Sequence, residues 1–320
     1  MKNLLGIDIG GTKCAVTYGR CEGSTVEIVD KFRFNTTDVE QTLNNLLKTT
    51  ELVMTHNNLT AENTAAIGIS CGGPLDSKQG IILSPPNLPG WDRIEIVKLF
   101  QDRFGIPTAI QNDANACALA EWTFGAGVGT QNMVFLTFGT GLGAGLILNG
   151  KLYAGTNDNA GEVGHIRLSD YGPVGYGKSG SFEGFCSGGG LRQLAISKAK
   201  ERLQMGLSVA WCPEGDIEGI NAQIVAEAAR EGDELALEIY RESAKQLGRG
   251  LAFLVDILNP EKIVIGSIYT RCEDLLAPAM NEVLQREALP LANAVCQVVP
   301  AALGESIGDY AALSVAAALH

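Results

Sequence analysis

The sequence has no CxxC pair, no run of lysine and arginine, no low-complexity tract and no apolar stretch near the ~20 residues a bilayer span needs. Each absence excludes something. Eight scattered cysteines without short spacings argue against a disulfide scaffold and for buried thiols in a reducing compartment. A net charge of −12 with no basic patch argues against general nucleic-acid binding. "LLGI" before Asp8 is too short for a signal peptide, and "LAFLV" and "VAAAL" are too short for membrane anchors. A cytoplasmic protein with a small-molecule partner and no membrane contact is therefore expected. What remains is 320 residues, 46% of them hydrophobic, enough for a large core and more consistent with two domains than one.

Hydrophobic patterning gives an α/β alternation. Leu4–Ile9, Ala15–Tyr18 and Val26–Phe34 read as strands, and Val39–Met54 as a helix. "AAIGIS" and "IPTAI" read as strands, with a helix from Arg93 to Arg103 between them and "ANACALAEW" helical after them. Met133–Phe138 and Ala144–Leu148 form a hairpin candidate, followed by an Asn149-Gly150 turn. Helices are expected over Gly188–Gln204, Asn221–Ala229 and Glu234–Leu258, then a strand at "KIVIG" and a closing helix "GDYAALSVAAALH".

One pattern occurs twice. A shift of 129 residues lays Ile9-Gly10-Gly11-Thr12 on Phe138-Gly139-Thr140-Gly141, and Asp8 on Thr137. Both copies run strand, glycine turn, strand. A Rossmann fingerprint would place a helix after the glycines, so "GTGLGA" fits that pattern only as text, and no Walker-type loop is present. Either these are ordinary tight hairpins, or their side-chain-free turns admit an anion to successive backbone N–H groups. Asp8 beside the first turn could serve a hydrated magnesium ion, which favours the second reading.

"GIDIGGTK", "GGPLD", "PNLPGW", "QNDANACALAE", "FGTGLGAGLI" and "AGEVGHI" follow one another as in the ROK family of sugar kinases, which the whole chain resembles. The resemblance implies an α/β, two-domain actin-like ATPase (ribonuclease H-like) fold with a cleft between the domains. It implies a first domain of residues 1–112 plus a returning helix at 307–320, and a second of 113–306. ATP would be held by Asp8, Gly10, Gly11, Thr12, Lys13, Thr137, Gly139, Thr140 and Gly141, with Gly266 near the base. The sugar would meet Gly73, Asn87, Asn112, Asp113, Glu162, His165 and Glu183. Asp113 lies between a strand end and a helix, where it is either an N-cap or, as the family implies, the general base.

The chain departs from the family where a CxCGxxGCxE segment usually joins the histidine around structural zinc. Here "VGYGKSGSFE" puts Val174, Tyr176 and Ser181 at the cysteine positions, so no zinc is expected, and Tyr176 with local packing is expected to orient His165. Ser267 likewise stands where a second glycine is usual. The activity implied is ATP-dependent phosphorylation of a hexose or hexose derivative at C6, with Mg²⁺ carried by the nucleotide. Relatives imply a homodimer or homotetramer. The alternative is a catalytically silent sugar sensor or scaffold, which would not need a base. The family's repressors carry a DNA-binding segment ahead of this domain, and none is expected here because the chain opens almost directly on its first strand.

Overall fold

The computed structural model describes residues 1–319. His320, the last residue of the expected closing helix, lies outside the described residues. In chain order the elements are β1 (Lys2–Ile9), β2 (Lys13–Glu22), β3 (Thr25–Asn35), α1 (Val39–His56), β4 (Thr64–Cys71), β5 (Leu75–Asp76), β6 (Ile81–Ile82), α2 (Ile96–Phe104), β7 (Thr108–Asn112) and α3 (Asp113–Phe124). There follow β8 (Met133–Leu136), β9 (Ala144–Leu148), β10 (Lys151–Leu152), β11 (Val174–Gly175), β12 (Lys178–Ser179), α4 (Phe182–Phe185), α5 (Gly188–Gln204), α6 (Ala222–Arg230) and α7 (Glu234–Leu258). The chain closes with β13 (Lys262–Ile265), α8 (Ile268–Glu287), α9 (Pro290–Asn293), β14 (Gln297–Pro300) and α10 (Ile307–Ala317). Among the described residues no helix is long and apolar enough to cross a membrane.

The chain divides into two compact units, the first comprising Met1–Gln131, Gly145–Ala160 and Ala302–His320, the second Asn132–Ala144 and Gly161–Ala301. The division falls after α3 and not at Asp113, because α3 packs on α10: Ser314 Oγ donates to Ala116 O at 3.2 Å. Buried Glu121 of the same helix accepts from the N–H groups of Ala302 and Leu303 at 3.2 and 2.9 Å.

In the first unit the sheet order is β3-β2-β1-β4-β7. β1 runs antiparallel to β2 and parallel to β4, and β4 runs parallel to β7, so Asp8, Ser70 and Asn112 all arrive at one end of the sheet. That is the carboxyl end of the parallel strands, where ligands of α/β sheets bind. Period-2 alternation sends Leu5, Ile7 and Ile9 into a core with Ile67, Ile69, Trp91 and Phe100. On the opposite face Leu4 and Ala66 meet Leu313 and Ala316 of α10. Gly6 and Gly68, paired across β1 and β4, leave a flat seat for that helix. The expected Asn149-Gly150 turn joins β9 to β10, both residues at positive φ (53° and 69°).

In the second unit β8, β13 and β14 run parallel, Leu136 opposite Ile265 and Ile265 opposite Pro300. α5 and α7 have the expected limits. Two expectations are corrected: α2 begins at Ile96, because Arg93 takes a left-handed φ of 50° that no helix admits, and the strand at "IPTAI" runs from Thr108 to Asn112.

Candidate active site

The first glycine turn, between β1 and β2, is closed by Gly10 N–H donating to Lys13 O at 3.1 Å. It is pinned from the side by Thr36, whose Oγ1 donates to Gly10 O at 2.6 Å while its N–H donates to Thr12 O at 2.9 Å. Among the described residues the N–H groups of Gly11 and Thr12 carry no such bond, and both residues are exposed, as is Lys13. Gly11 has a second reason to be glycine: a Cβ there would lie 2.5 Å from the carbonyl oxygen of Asn87. Gly72 faces the Asn87 amide, where a Cβ would meet Oδ1 and Nδ2 at 3.3 Å, whereas one on Gly73 would meet open space. The proline-flanked Asn87 loop is thus laid directly on the first turn, anchored by buried Leu88 and Trp91.

Asn112 turns out to be the N-cap of α3, its Oδ1 accepting from Asn115 N at 2.8 Å. This separates the two readings of Asp113. The cap is made one residue earlier, so Asp113 is the first helical residue, its carboxylate accepting only from Ala114 N at 2.8 Å among the described residues. The amide of Asn112 has its oxygen committed and its NH₂ left over. Desolvation raises the Asp113 carboxyl above the ordinary range, against the lowering effect of the Ala114 N–H.

Asp8 is pushed up to about 6, first by desolvation, then by the carboxylates of Asp309 and Asp113, while Lys31 and Arg33 pull it down. Asp309 was not legible as a site residue. It lies on α10, largely buried, ion-paired with Lys31 of β3 and 4.0 Å from Arg33. Its only sequence signal is its place in "ESIGDY", two residues into the final helix. For an acid whose folded pKa exceeds its ordinary value of 3.8, stability is full below that value and falls as pH rises towards 6. The penalty then persists, at no more than about 3 kcal/mol, since Asp8 keeps some contact with water. Asp8→Asn is expected to raise the melting temperature at pH 8 while the gain fades below about pH 5, a pattern that calorimetry at the two pH values checks.

The second glycine turn follows β8. Gly139 N–H donates to Gly141 O at 3.0 Å, and Thr137 N–H to Gly143 O at 3.0 Å, while Thr137 Oγ1 accepts from Gly143 N at 2.9 Å. Among the described residues the N–H groups of Thr140 and Gly141 are left without such bonds. Glu183 reaches this turn, its Oε2 accepting from Leu142 N at 3.0 Å, and a Cβ on Gly141 would lie 2.8 Å from the same oxygen. One carboxylate oxygen of an expected sugar ligand is therefore committed to the phosphate turn. Gly266 is buried against Phe135, and the exposed residue at that strand end is Ser267, held at φ 57° where glycine is preferred.

Glu162 and His165 are both exposed on a short helical turn in the second unit. The segment aligned with the family's zinc site forms the hairpin β11–β12 instead. Buried Ser181 caps α4, accepting from Gly184 N at 3.1 Å and donating to Gly175 O at 3.4 Å. Cys186 is buried, its thiol 3.6 Å from Ser243 O. Among the described residues no three His, Cys, Asp or Glu side chains form a metal-holding group.

The profile of the ROK family matches residues 4–318. The glucokinase of Halalkalibacterium halodurans is 30% identical over 309 residues, spanning 95% of this chain and 92% of its own. A ROK family glucokinase from Streptomyces griseus, solved in complex with glucose and AMPPNP, is 30% identical with a TM-score of 0.76 over 99% of both chains. A ROK family transcriptional regulator, a homolog of the E. coli MLC protein, shares the fold at a TM-score of 0.84 and 24% identity, covering 98% of this chain and 77% of its own.

Proposed function

The chain belongs to the ROK family and is an ATP-dependent sugar kinase, and from that premise we propose that it phosphorylates the C6 hydroxyl of a hexose or hexose derivative with Asp113 as general base. The observation that carries this reading is the equivalence of the two turns. Each is closed by its first glycine, and each leaves the same next two N–H groups, Gly11 and Thr12 in one copy, Thr140 and Gly141 in the other. Paired N–H groups of this kind fit the oxygens of a phosphate, and a preorganised donor needs no rearrangement as charge develops during transfer. Lys13 adds a cationic side chain to the first turn.

Asp113 accepts the sugar hydroxyl proton, a role suited to a carboxylate that is not consumed by helix capping. The groups this reading assigns to the sugar are Asn87, Gly73, the NH₂ of Asn112, Glu162, His165 and the uncommitted oxygen of Glu183. Gly266 lies behind Ser267, so the adenine side is bounded by Ser267. The three carboxylates Asp8, Asp113 and Asp309 suit a nearby cation, and Asp8 is the residue that would hold Mg²⁺ through water; the ion would neutralise phosphate charge when bound. A cytoplasmic homodimer or homotetramer fits the exposed Ile257, Leu289 and Leu291.

The position of transfer is tested by phosphorus–proton correlation in the NMR spectrum of the product made from glucose. Coupling of the new phosphate to the C6 protons is expected; coupling to any other ring proton would overturn the assignment.

A further inference from the structure

Tyr176 and Gly177 form the two-residue loop between β11 and β12, with Val174 opposite Ser179 and Gly175 opposite Lys178. Both loop residues have positive φ, 45° and 74°, as a type I′ hairpin requires. Asn-Gly or Asp-Gly suits such a turn, and a bulky aromatic at its first position is unfavourable. Burial does not compensate, because Tyr176 is 81% exposed. Among the described residues its one ring contact is with His165: the centroids are 6.2 Å apart and the planes 74° apart, an edge-to-face arrangement.

The rest of the hairpin is held independently of that ring. Gln193 clamps Val174 with two bonds of 2.9 Å, accepting from its N–H and donating to its carbonyl. Gly180 N donates to Pro173 O at 3.0 Å, and Ser181 joins the hairpin to α4. Lys178 Nζ donates to the carbonyl of His165 at 2.7 Å, a bond that fixes the backbone of that residue and does not involve its imidazole. The hairpin therefore stands without Tyr176, and the tyrosine supplies what the backbone bonds do not, a wall for the ring.

We propose that Tyr176 is a positioning residue that holds the imidazole of His165 in its sugar-binding orientation. The proposal rests on the reading that His165 contacts the sugar. A residue set against its backbone preference, exposed, and in contact with a group of the site is accounted for by that group and not by folding.

The test compares Tyr176→Asn, which suits the turn, with Tyr176→Phe, which keeps the ring. Tyr176→Asn is expected to melt at or above the wild-type temperature and yet to raise the KM for sugar about three- to ten-fold, with the KM for ATP unchanged. Tyr176→Phe is expected to behave as wild type. A purely architectural tyrosine would lower the melting temperature and move both KM values together, and that result would overturn the proposal, as would an unchanged sugar KM in Tyr176→Asn.

A second readout needs no substrate. The chain has three histidines, His56, His165 and His320, so the imidazole signals of His165 can be assigned by substitution of the others. Loss of the ring-current shift in Tyr176→Asn and its retention in Tyr176→Phe is expected. Identical His165 signals in all three proteins would overturn the positioning role even if the kinase turns over normally. A wild type that phosphorylates no sugar but shows this shift would sink the kinase reading and leave the ring contact demonstrated.

Discussion

Asp113→Asn lowers kcat by roughly 10²- to 10⁴-fold while the KM values for sugar and ATP stay within a few-fold, the loss given by removing a positioned general base. The structure makes this a clean substitution. The cap of α3 belongs to Asn112, so the helix start does not depend on the carboxylate. An asparagine oxygen can still accept from Ala114 N, as Asp113 Oδ1 does at 2.8 Å. The melting temperature is therefore expected to stay close to wild type. The wild-type rate should also fall as pH drops, since the raised pKa of Asp113 means the base is protonated sooner than an ordinary aspartate. Steady-state kinetics with both substrates varied checks the result, and near-normal kcat in Asp113→Asn would move the base elsewhere.

The largest effect on stability is expected from a single methyl group. A Cβ at Gly68 would lie 2.1 Å from Ala312 O and 2.3 Å from Ala316 N, both backbone atoms of α10. A helix backbone cannot yield by rotamer change, so Gly68→Ala must lift α10 from the sheet. That exposes Leu313 and Ala316, which are fully buried against Leu4 and Ala66. A destabilisation of about 3 kcal/mol or more is expected, at the upper end for overpacking because the obstruction is backbone. The same helix carries Asp309, so the Lys31–Asp309 ion pair is disturbed beside Asp8. Calorimetry should show an earlier unfolding transition; a melt superimposable on wild type would mean that α10 is not seated on β4 as described.

These two residues mark what could and could not be read in the sequence. Strand–glycine–strand repetition identified both turns, because the glycines and their flanking apolar residues are contiguous. Asp113 was visible, but which of two neighbouring residues caps α3 depends on backbone angles that composition does not fix. α8 was missed although Tyr269, Cys272, Leu276, Met280 and Val283 recur at helical spacing, because Pro278 inside it reads as a helix breaker. β14 was missed because four residues carry little pattern. Asp309 and Lys31 are 278 residues apart, and only the return of α10 to the first sheet brings them together. The bond from Leu142 N to Glu183 likewise joins two motifs that the sequence presents as separate.

Sugar-dependent release of ADP from Mg·ATP, measured over glucose, amino sugars and β-glucosides, tests the central claim most directly. The account predicts release that requires a sugar and is rapid with at least one member of the panel. ADP release that ignores the sugar, or no release with any sugar that measurably stabilises the protein, would contradict it.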